Sequence, residues 1–224
     1  MDEFDICIAG AGVVGLAICH QLSIDSRLSG RSIILLDQED NFGKHISSRS
    51  SEVIHAGIYY QNGSFKAKLC VEGKELLYEY CKKQQIPHKK IQKLIVAQHK
   101  NESQIEGLLR KAEANGVFDL ETLDANQLKK LEPSVHGSTA LLSPSTGIID
   151  SHSYMQSLLL GAQANGAEFY PKTRINKAEA LQNGFRVHTV IDEQKSPQNY
   201  SFFCRQFINS CGINAQQLAR RIDG

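Results

Sequence analysis

The chain has 224 residues and a formal net charge of +1, with 22% charged and 41% hydrophobic residues. This length allows one large domain or two small ones, and the composition is that of an ordinary globular protein. A charge so close to zero gives no electrostatic basis for nucleic-acid binding, so we expect no nucleic-acid partner. No apolar run approaches the roughly 18 residues of a membrane-spanning helix, and the sequence leaves peripheral membrane contact open.

The first 37 residues have the pattern of a dinucleotide-binding unit. An apolar run at Phe4–Ala9 predicts a strand, and G-x-G-x-x-G follows it directly. A helical pattern then leads to a second apolar run, Ser32–Leu36, which ends at Asp37. This acid lies close to the expected spacing of about 20 residues after the glycines. Strand, glycine turn, helix, strand and terminal acid together predict this unit, although an ordinary glycine turn in an α/β domain is the alternative.

Each residue of this motif has a physical role. Gly10 allows a tight turn out of the strand, and Gly12 lacks a Cβ, so a pyrophosphate can approach the backbone. Gly15 lets the helix pack closely on the strand, while the N–H groups at the start of the helix attract phosphate. Asp37 can accept hydrogen bonds from a ribose hydroxyl.

The six cysteines form neither C-x-x-C nor zinc-type spacing with histidine, so we predict no metal site. Cys7 and Cys19 fall in the first predicted strand and helix and are typical of small buried hydrophobes. The acidic N-terminus leads directly into a strand, which argues against a cleavable secretory signal. We therefore predict a cytoplasmic protein, with any peripheral contact at the inner membrane face.

Periodicity and turn residues predict the rest of the chain as alternating helices and short strands. Ser64 is a plausible N-cap for the first of these helices. In chain order we predict a helix at Ser64–Gln85, a strand at Lys93–Ala97, helices at Glu102–Asn115 and Asp124–Leu131, strands at Thr139–Leu142 and Thr146–Asp150, a helix at Ser151–Asn165, strands at Ala167–Tyr170, Arg174–Ala178 and Phe185–Val190, a polar loop at Asp192–Asn199, strands at Tyr200–Cys204 and Gln206–Ser210, and a helix at Asn214–Arg221.

A family resemblance becomes specific after the first unit. The segments Ser50–Tyr60 (SSEVIHAGIYY) and Lys66–Gly73 (KAKLCVEG) resemble the FAD-dependent L-2-hydroxyglutarate oxidase/dehydrogenase family, which belongs to the amino-acid-oxidase-like flavoproteins. Lys93–Ala97, Thr146–Asp150 and Asn209–Gly212 also match, so the resemblance runs over essentially the whole chain. It implies a glutathione-reductase-related fold with FAD as the cofactor.

The resemblance and the element order together predict an interleaved α/β architecture. Residues 1–90 form the first part of a Rossmann-like FAD-binding domain, and residues 91–150 form the first part of a mixed α/β substrate domain. Residues 151–224 return to the FAD-binding domain and begin the remaining fold. A doubly wound sheet with such a partner normally returns once more, so we expect the fold to be truncated at the C-terminus.

The resemblance also implies a set of cofactor contacts. Gly10, Gly12 and Gly15 are expected to hold the FAD pyrophosphate, and Asp37 the adenosine ribose. The remaining implied contacts are serines along the flavin side, a backbone contact to adenine and a turn that approaches the cofactor: Ser47, Ser48, Ser50 and Ser51; Ile175; and Gly212.

His55 is the candidate catalytic residue. Oxidation of a 2-hydroxy acid needs a base for the hydroxyl proton, and histidine titrates in the right range. By resemblance His55 lies on the segment nearest the isoalloxazine. Two alternatives stay open: a structural histidine in the polar surroundings of the flavin, or a covalent flavin link.

A dicarboxylate substrate needs cations or hydroxyls at both ends. Arg49 and Tyr59 are the predicted substrate-binding residues, since arginine suits a bidentate carboxylate contact. Tyr60 adjoins Tyr59 on a predicted strand, so only one of the two rings can face the site. Lys66 and Lys68 are further candidates, although a solvated helix start is the better explanation for both lysines.

These expectations predict an FAD-dependent enzyme. It oxidises L-2-hydroxyglutarate to 2-oxoglutarate by hydride transfer to flavin N5, and the electrons pass on to oxygen or a quinone. Two alternatives remain: a truncated, non-catalytic remnant of such an enzyme, or an FAD-dependent oxidase of another small hydroxy or amino acid, such as glycine or glycerol 3-phosphate.

Overall fold

The computed structural model describes residues 1–98, 101–191 and 197–223. Most of the polar loop predicted at Asp192–Asn199 lies outside the described residues. In chain order the elements are β1 (Glu3–Ala9), α1 (Val13–Ser23), β2 (Ile33–Leu36), β3 (Val53–Ile54), α2 (Phe65–Lys83), β4 (His88–Lys90), β5 (Lys93–Ala97), α3 (Glu102–Ala114), β6 (Glu121–Asp124), α4 (Ala125–Leu131), β7 (Thr139–Ser143), β8 (Gly147–Ile149), α5 (Ser151–Ala164), β9 (Glu168–Tyr170), β10 (Thr173–Leu181), β11 (Gly184–Ile191), β12 (Gln198–Asn209), α6 (Ala215–Ala219) and β13 (Ile222–Asp223).

The chain divides into two compact units. The first unit joins Met1–Ser50 to Ser151–Gly224, and the second is Ser51–Asp150. The division after residue 150 coincides with the predicted one, whereas the predicted boundary at 90/91 lies instead at 50/51. The reason is that β8 pairs with both β3 and β4, which ties the segment before residue 90 to the second unit.

The described strands of the first unit form one mixed sheet in the order β13-β10-β11-β12-β1-β2-β9. β1 is central and runs parallel to both β12 and β2, with Ile8 opposite Ile208 and Leu35. Parallel strands are covered on both faces, which explains why β1 and β2 are almost continuously apolar. The α/β class and the Rossmann-like first unit are therefore confirmed.

The core of this sheet depends on small and aromatic side chains that meet from separate strands. Cys7 and Cys204 are fully buried together with Val187 and Phe202, and Phe4 meets Phe202 edge-on with ring centres 5.4 Å apart. The prediction that Cys7 is a small buried hydrophobe is confirmed.

The second unit contains two antiparallel three-stranded sheets, β3-β8-β4 and β5-β7-β6, with α2, α3 and α4. α2 begins where the sequence predicted, because the Ser64 hydroxyl accepts a hydrogen bond from the Ala67 N–H at 3.2 Å. α4 begins at a capping box formed by Asp124 and Gln127. A core of Leu128 from α4, Leu123 from β6 and Ala140 from β7, among others, packs these three elements together.

Three predicted elements differ from those in the structure. Tyr200–Cys204 and Gln206–Ser210 are not separate strands but parts of β12. The strand is continuous because its first half pairs with β11 and its second half with β1. The helix predicted at Asn214–Arg221 is a 3₁₀ turn at Gly212–Asn214 followed by the short α6.

In the part of the chain that the structure covers, no helix is long and apolar enough to cross a bilayer. Across residues 1–98, 101–191 and 197–223, no cluster of three or more His, Cys, Asp or Glu side chains could hold a metal ion.

Candidate functional site

A cavity of about 430 Å³ opens in the first unit at the carboxyl ends of β1, β2 and β12. Open α/β sheets bind their ligands at this edge, and the volume lies within the usual range for small-molecule sites. The walls come from the glycine turn, the segment after β2, the start of β10 and the turn after β12: Ala9, Gly10, Gly12, Val13, Val14, Leu36, Asp37, Gln38, Gly43, Lys44, His45, Ile46, Ser47, Thr173, Arg174, Ile175, Ser210, Cys211, Gly212, Ile213, Asn214, Ala215, Gln217, Leu218 and Arg221.

The N-terminus of α1 faces this cavity. Gly12 is the N-cap and provides no side-chain cap, and the first turn of the 11-residue helix contains no acidic residue. The Val13 N–H donates to the Ser47 hydroxyl at 2.9 Å. A helix start without a side-chain cap or a carboxylate presents its positive dipole end to whatever occupies the cavity, which suits a phosphate.

Each of the three motif positions is occupied by glycine for a different structural reason. Gly10 has φ +98°, and a Cβ there would lie 2.7 Å from the Ser210 carbonyl oxygen. At Gly15 a Cβ would lie only 1.9 Å from the Gly10 carbonyl oxygen, so the close packing expected there is confirmed. At Gly12 a Cβ would meet only the Ser47 hydroxyl, at 3.1 Å, and would otherwise project into open space. Gly10 and Gly15 are thus needed by the fold, whereas Gly12 keeps the helix start accessible.

Asp37 organises the edge of the cavity. Its Oδ2 accepts a hydrogen bond from the Ala11 N–H at 2.7 Å, and its Oδ1 accepts one from the Glu39 N–H at 2.9 Å. A carboxylate has about four acceptor positions, so these two bonds leave capacity for a further donor. Asp37 therefore joins the glycine turn to the end of β2 and can still accept a hydrogen bond from a hydroxyl in the cavity.

Cations outnumber carboxylates around the cavity. Arg174, Arg221 and Lys44 line it, while Asp37 is the carboxylate among the described lining residues. Lys44 is also paired with Asp40 at 3.3 Å. This balance favours a ligand that carries negative charge, such as a pyrophosphate. The sequence did not single out these cations, because isolated basic residues have no spacing that predicts a common site.

Ser210 is a further residue that the sequence did not identify. Its hydroxyl lies 2.7 Å from the Ala9 carbonyl oxygen and 2.9 Å from that of Gly10, so it joins the end of β12 to the glycine turn. Its position at the end of a predicted apolar strand was the available signal, since the ends of parallel strands meet at one edge of a sheet.

The structure brings together six of the ten predicted cofactor residues. The other four, Gly15, Ser48, Ser50 and Ser51, are not among the described residues that line the cavity. Ser48 donates to the His45 carbonyl oxygen at 3.0 Å. The six that line the cavity are Gly10, Gly12, Asp37, Ser47, Ile175 and Gly212.

His55 lies in the second unit, next to a cavity of about 10 Å³ that has room for about one water molecule. The imidazole is exposed to solvent on one side. Partial burial lowers the pKa of His55 below its ordinary value of 6.5, and the nearby charges of Lys93 and Lys66 lower it further. The neutral form, which can accept a proton, therefore dominates at neutral pH.

The surroundings of the tyrosines differ from the prediction. Tyr59 and Tyr60 lie in a turn rather than on a strand, so alternation does not separate their rings. A lysine lies over each ring in a cation–π contact. Lys93 Nζ lies 4.6 Å from the centre of the Tyr59 ring, and Lys66 Nζ lies 4.7 Å from the centre of the Tyr60 ring. Arg49 is exposed at the end of a 3₁₀ turn in the first unit, so it and Tyr59 belong to different units.

Neighbouring parallel strands, a glycine turn, an open helix N-terminus and a ligand-sized cavity at the strand ends define a dinucleotide-binding α/β protein. The family model for FAD dependent oxidoreductases (DAO) matches residues 5–224. The chain belongs to this family of FAD-dependent oxidoreductases, so the predicted enzyme class and cofactor are confirmed.

Relatives also support the resemblance to the L-2-hydroxyglutarate oxidase/dehydrogenase family. The chain is 43% identical over 225 residues to a human protein and 43% identical over 220 residues to one from Caenorhabditis elegans, both named "L-2-hydroxyglutarate dehydrogenase, mitochondrial". The alignments cover 97% and 98% of this chain, but 48% and 50% of those proteins. The chain therefore spans about half the length of these curated relatives. The family resemblance drawn from the sequence is confirmed.

Solved structures agree with the fold. L-α-glycerophosphate oxidase from Mycoplasma pneumoniae, solved with FAD bound, has a TM-score of 0.88 and 27% identity, covering 99% of this chain and 57% of its own. L-Proline dehydrogenase from P. horikoshii has a TM-score of 0.81 at 16% identity, covering 98% of this chain and 56% of its own, and it supports the fold alone.

The predicted cytoplasmic location is contradicted. Relatives that cover almost the whole of this chain are named as mitochondrial proteins. The prediction relied on cysteine usage and on the sequence of the first residues. Free cysteines indicate a reducing environment, and this property does not distinguish one intracellular compartment from another.

Proposed function

We propose that this chain is the FAD-binding part of an enzyme that oxidises L-2-hydroxyglutarate to 2-oxoglutarate. The observation that carries the proposal is the cavity at the start of α1, which Gly12 keeps open and cations surround. Relatives named for L-2-hydroxyglutarate support the substrate. When bound, FAD supplies a two-electron acceptor for the hydride that leaves the hydroxyl-bearing carbon.

The ten predicted contact residues, six of which line the cavity, are assigned to different parts of the cofactor. Gly10, Gly12 and Gly15 shape the pyrophosphate site at the start of α1. Asp37 accepts from the adenosine ribose. The remaining contacts follow the resemblance, with adenine at Ile175, a close backbone approach at Gly212, and the flavin side along Ser47, Ser48, Ser50 and Ser51.

His55 is the proposed general base. Its lowered pKa keeps the imidazole neutral, so that it can take the proton of the substrate hydroxyl while the adjacent carbon is oxidised. Arg49 and Tyr59 are proposed to bind the substrate. His55 is exposed, and the cavity next to it has room for about one water. The electrons then pass to oxygen or a quinone.

Replacing Gly12 with valine should remove cofactor binding without unfolding the protein. The backbone of Gly12 is extended, with φ −75° and ψ 176°, and a Cβ meets only the Ser47 hydroxyl, so the fold accepts a side chain. The added methyl groups would occupy the approach to α1, and we expect FAD affinity to fall about a hundredfold, the loss of about two charge-assisted hydrogen bonds. Flavin fluorescence titration measures the affinity.

The control for this experiment is the unchanged protein titrated with FAD and, separately, with riboflavin, which lacks the pyrophosphate. The unchanged chain should become yellow with FAD and bind riboflavin far more weakly. A chain that stays colourless in excess FAD would contradict the cofactor proposal for this chain. Equal FAD affinity of the Gly12→Val variant would show that the cofactor does not approach the start of α1.

The pH dependence of flavin reduction tests the role of His55. Protonated His55 cannot accept a proton, so the single-turnover rate should be highest above the pKa of His55 and fall as the pH drops through it. Because that pKa is lowered, the midpoint should lie below 6.5. Replacing Lys93 with glutamine removes a positive charge, so the midpoint should rise. A rate that is independent of pH through this range would argue against a histidine base.

Glycerol 3-phosphate is the second candidate substrate, since the structure of L-α-glycerophosphate oxidase superposes with a TM-score of 0.88. Anaerobic mixing of the FAD-loaded protein with each compound separates the two. L-2-Hydroxyglutarate should bleach the flavin absorbance faster than glycerol 3-phosphate or glycine does. The reverse order would transfer the proposal to the phosphate ester or the amino acid.

A further inference from the structure

Two lysines in the second unit are held over neighbouring aromatic rings. Lys93, on β5, lies over Tyr59, and Lys66, in the first turn of α2, lies over Tyr60. A lysine over a tyrosine ring is attracted by the negative face of the ring, which limits the positions of a flexible side chain. The two ammonium groups thus take defined positions in the same part of the unit.

These lysines differ from their neighbours in their electrostatic partners. Lys74, also on α2, is buried and lies 3.1 Å from the carboxylate of Glu75. Neither Lys66 nor Lys93 forms an ion pair with a carboxylate in the described part of the chain. Two ammonium groups without a counter-charge, beside a histidine whose pKa is lowered by both, make a region that favours an anion.

The two lysines also differ from each other in position. Lys93 is half-buried and lines the small cavity together with His55 and Thr146. Lys66 is exposed and lies outside that cavity, on the side of Tyr60. Between them they offer two places for negative charge, one in the wall of the cavity that His55 also lines and one outside that wall.

We propose that Lys93 and Lys66 select a dicarboxylate: Lys93 binds the carboxylate next to the hydroxyl-bearing carbon, and Lys66 binds the distal carboxylate. The assignment rests on the proposed function, because His55 must lie at the hydroxyl group. The carboxylate adjacent to that group then lies on the side of Lys93, which shares the cavity with His55. An ammonium group is a compact charge that can bind a carboxylate from a surface position.

The test uses glutarate and butyrate, which have two and one carboxylates and lack the hydroxyl group, so that neither is oxidised. Calorimetric titration of the FAD-loaded protein should show tighter binding of glutarate. Lys66→Gln should lower the affinity for glutarate about tenfold and leave the affinity for butyrate unchanged. Lys93→Gln should lower the affinity for both compounds about tenfold. A tenfold loss is what one charge-assisted hydrogen bond contributes. Lys66→Arg and Lys93→Arg, which keep the charge, should retain most of the affinity.

Lys89→Gln is the matched control, because Lys89 is an exposed lysine of the same unit, and glutarate binding should not change in this variant. The proposal is overturned if the unchanged protein fails to bind glutarate, or if Lys66→Gln and Lys93→Gln bind it as tightly as the unchanged protein does. Flavin bleaching by L-2-hydroxyglutarate is measured separately. Lysine-dependent glutarate binding without bleaching would refute the proposed reaction and retain the dicarboxylate subsite.

Discussion

Alanine in place of Gly15 is expected to lower the free energy of unfolding by about 3 kcal/mol or more, the upper range for overpacking against atoms that cannot move away. The added Cβ would lie 1.9 Å from the carbonyl oxygen of Gly10, and the next nearest atom is the Ser210 hydroxyl at 2.6 Å. Either α1 moves away from β1 or the glycine turn opens, and both displace the start of α1 from the cavity. FAD should therefore be lost as well. Urea unfolding followed by circular dichroism measures the stability.

Gly73→Ala is the matched control for this substitution. Gly73 lies inside α2, and a Cβ there would meet nothing within 4 Å. Alanine in an open helical position should stabilise the protein by about 0.5–1 kcal/mol because it lowers the entropy of the unfolded chain. The same exchange thus has opposite expected signs at the two positions. A Gly15→Ala variant as stable as the unchanged protein would mean that α1 does not pack on the glycine turn in this way.

The second large effect is expected for His55→Gln. Glutamine retains a hydrogen-bonding side chain of similar length but cannot act as a base near neutral pH. The rate of flavin reduction by L-2-hydroxyglutarate should fall by about 10²- to 10⁴-fold, the usual contribution of general base catalysis. FAD affinity should not change, since the cofactor cavity is lined by residues of the first unit. Stopped-flow absorbance gives the rate, and fluorescence titration gives the affinity.

The same variant separates the three roles that the sequence left open for His55. Loss of FAD with an unchanged rate per bound flavin would assign a structural role. Flavin that stays attached to the denatured unchanged protein but is released from denatured His55→Gln would assign a covalent link. His136→Gln, an exposed histidine of the same unit, is the control and should leave both the rate and the affinity unchanged.

The nucleotide-binding segment at residues 1–37 was predictable because the interactions that define it are local. The strand, glycine turn, helix and second strand lie within 37 residues, and each glycine reports a backbone requirement that no other residue meets as well. Ser64 predicted the start of α2 for the same reason, since an N-cap bonds to a residue three positions later. The family segments around His55 were also continuous in sequence.

The domain boundary at 50/51 could not be predicted in this way, because pairing of β3 and β4 with β8 joins segments about 60 to 95 residues apart. The same limit applies to the lysines. Lys66 and Lys93 are ordinary surface charges in a sequence pattern, and only the fold places Tyr60 and Tyr59 beneath them.

By itself the sequence determined the nucleotide-binding unit, because short-range periodicity and backbone-specific glycines carry that information. The resemblance of continuous segments such as Ser50–Tyr60 then indicated the family and its cofactor. The tertiary structure decided which distant segments complete the wall of the cavity. Ser210 bonds to Ala9 and Gly10 across some 200 positions, and Arg174 and Arg221 bring positive charge from two further segments. Such contacts follow from strand order and register, which depend on packing of the whole sheet and not on any one segment.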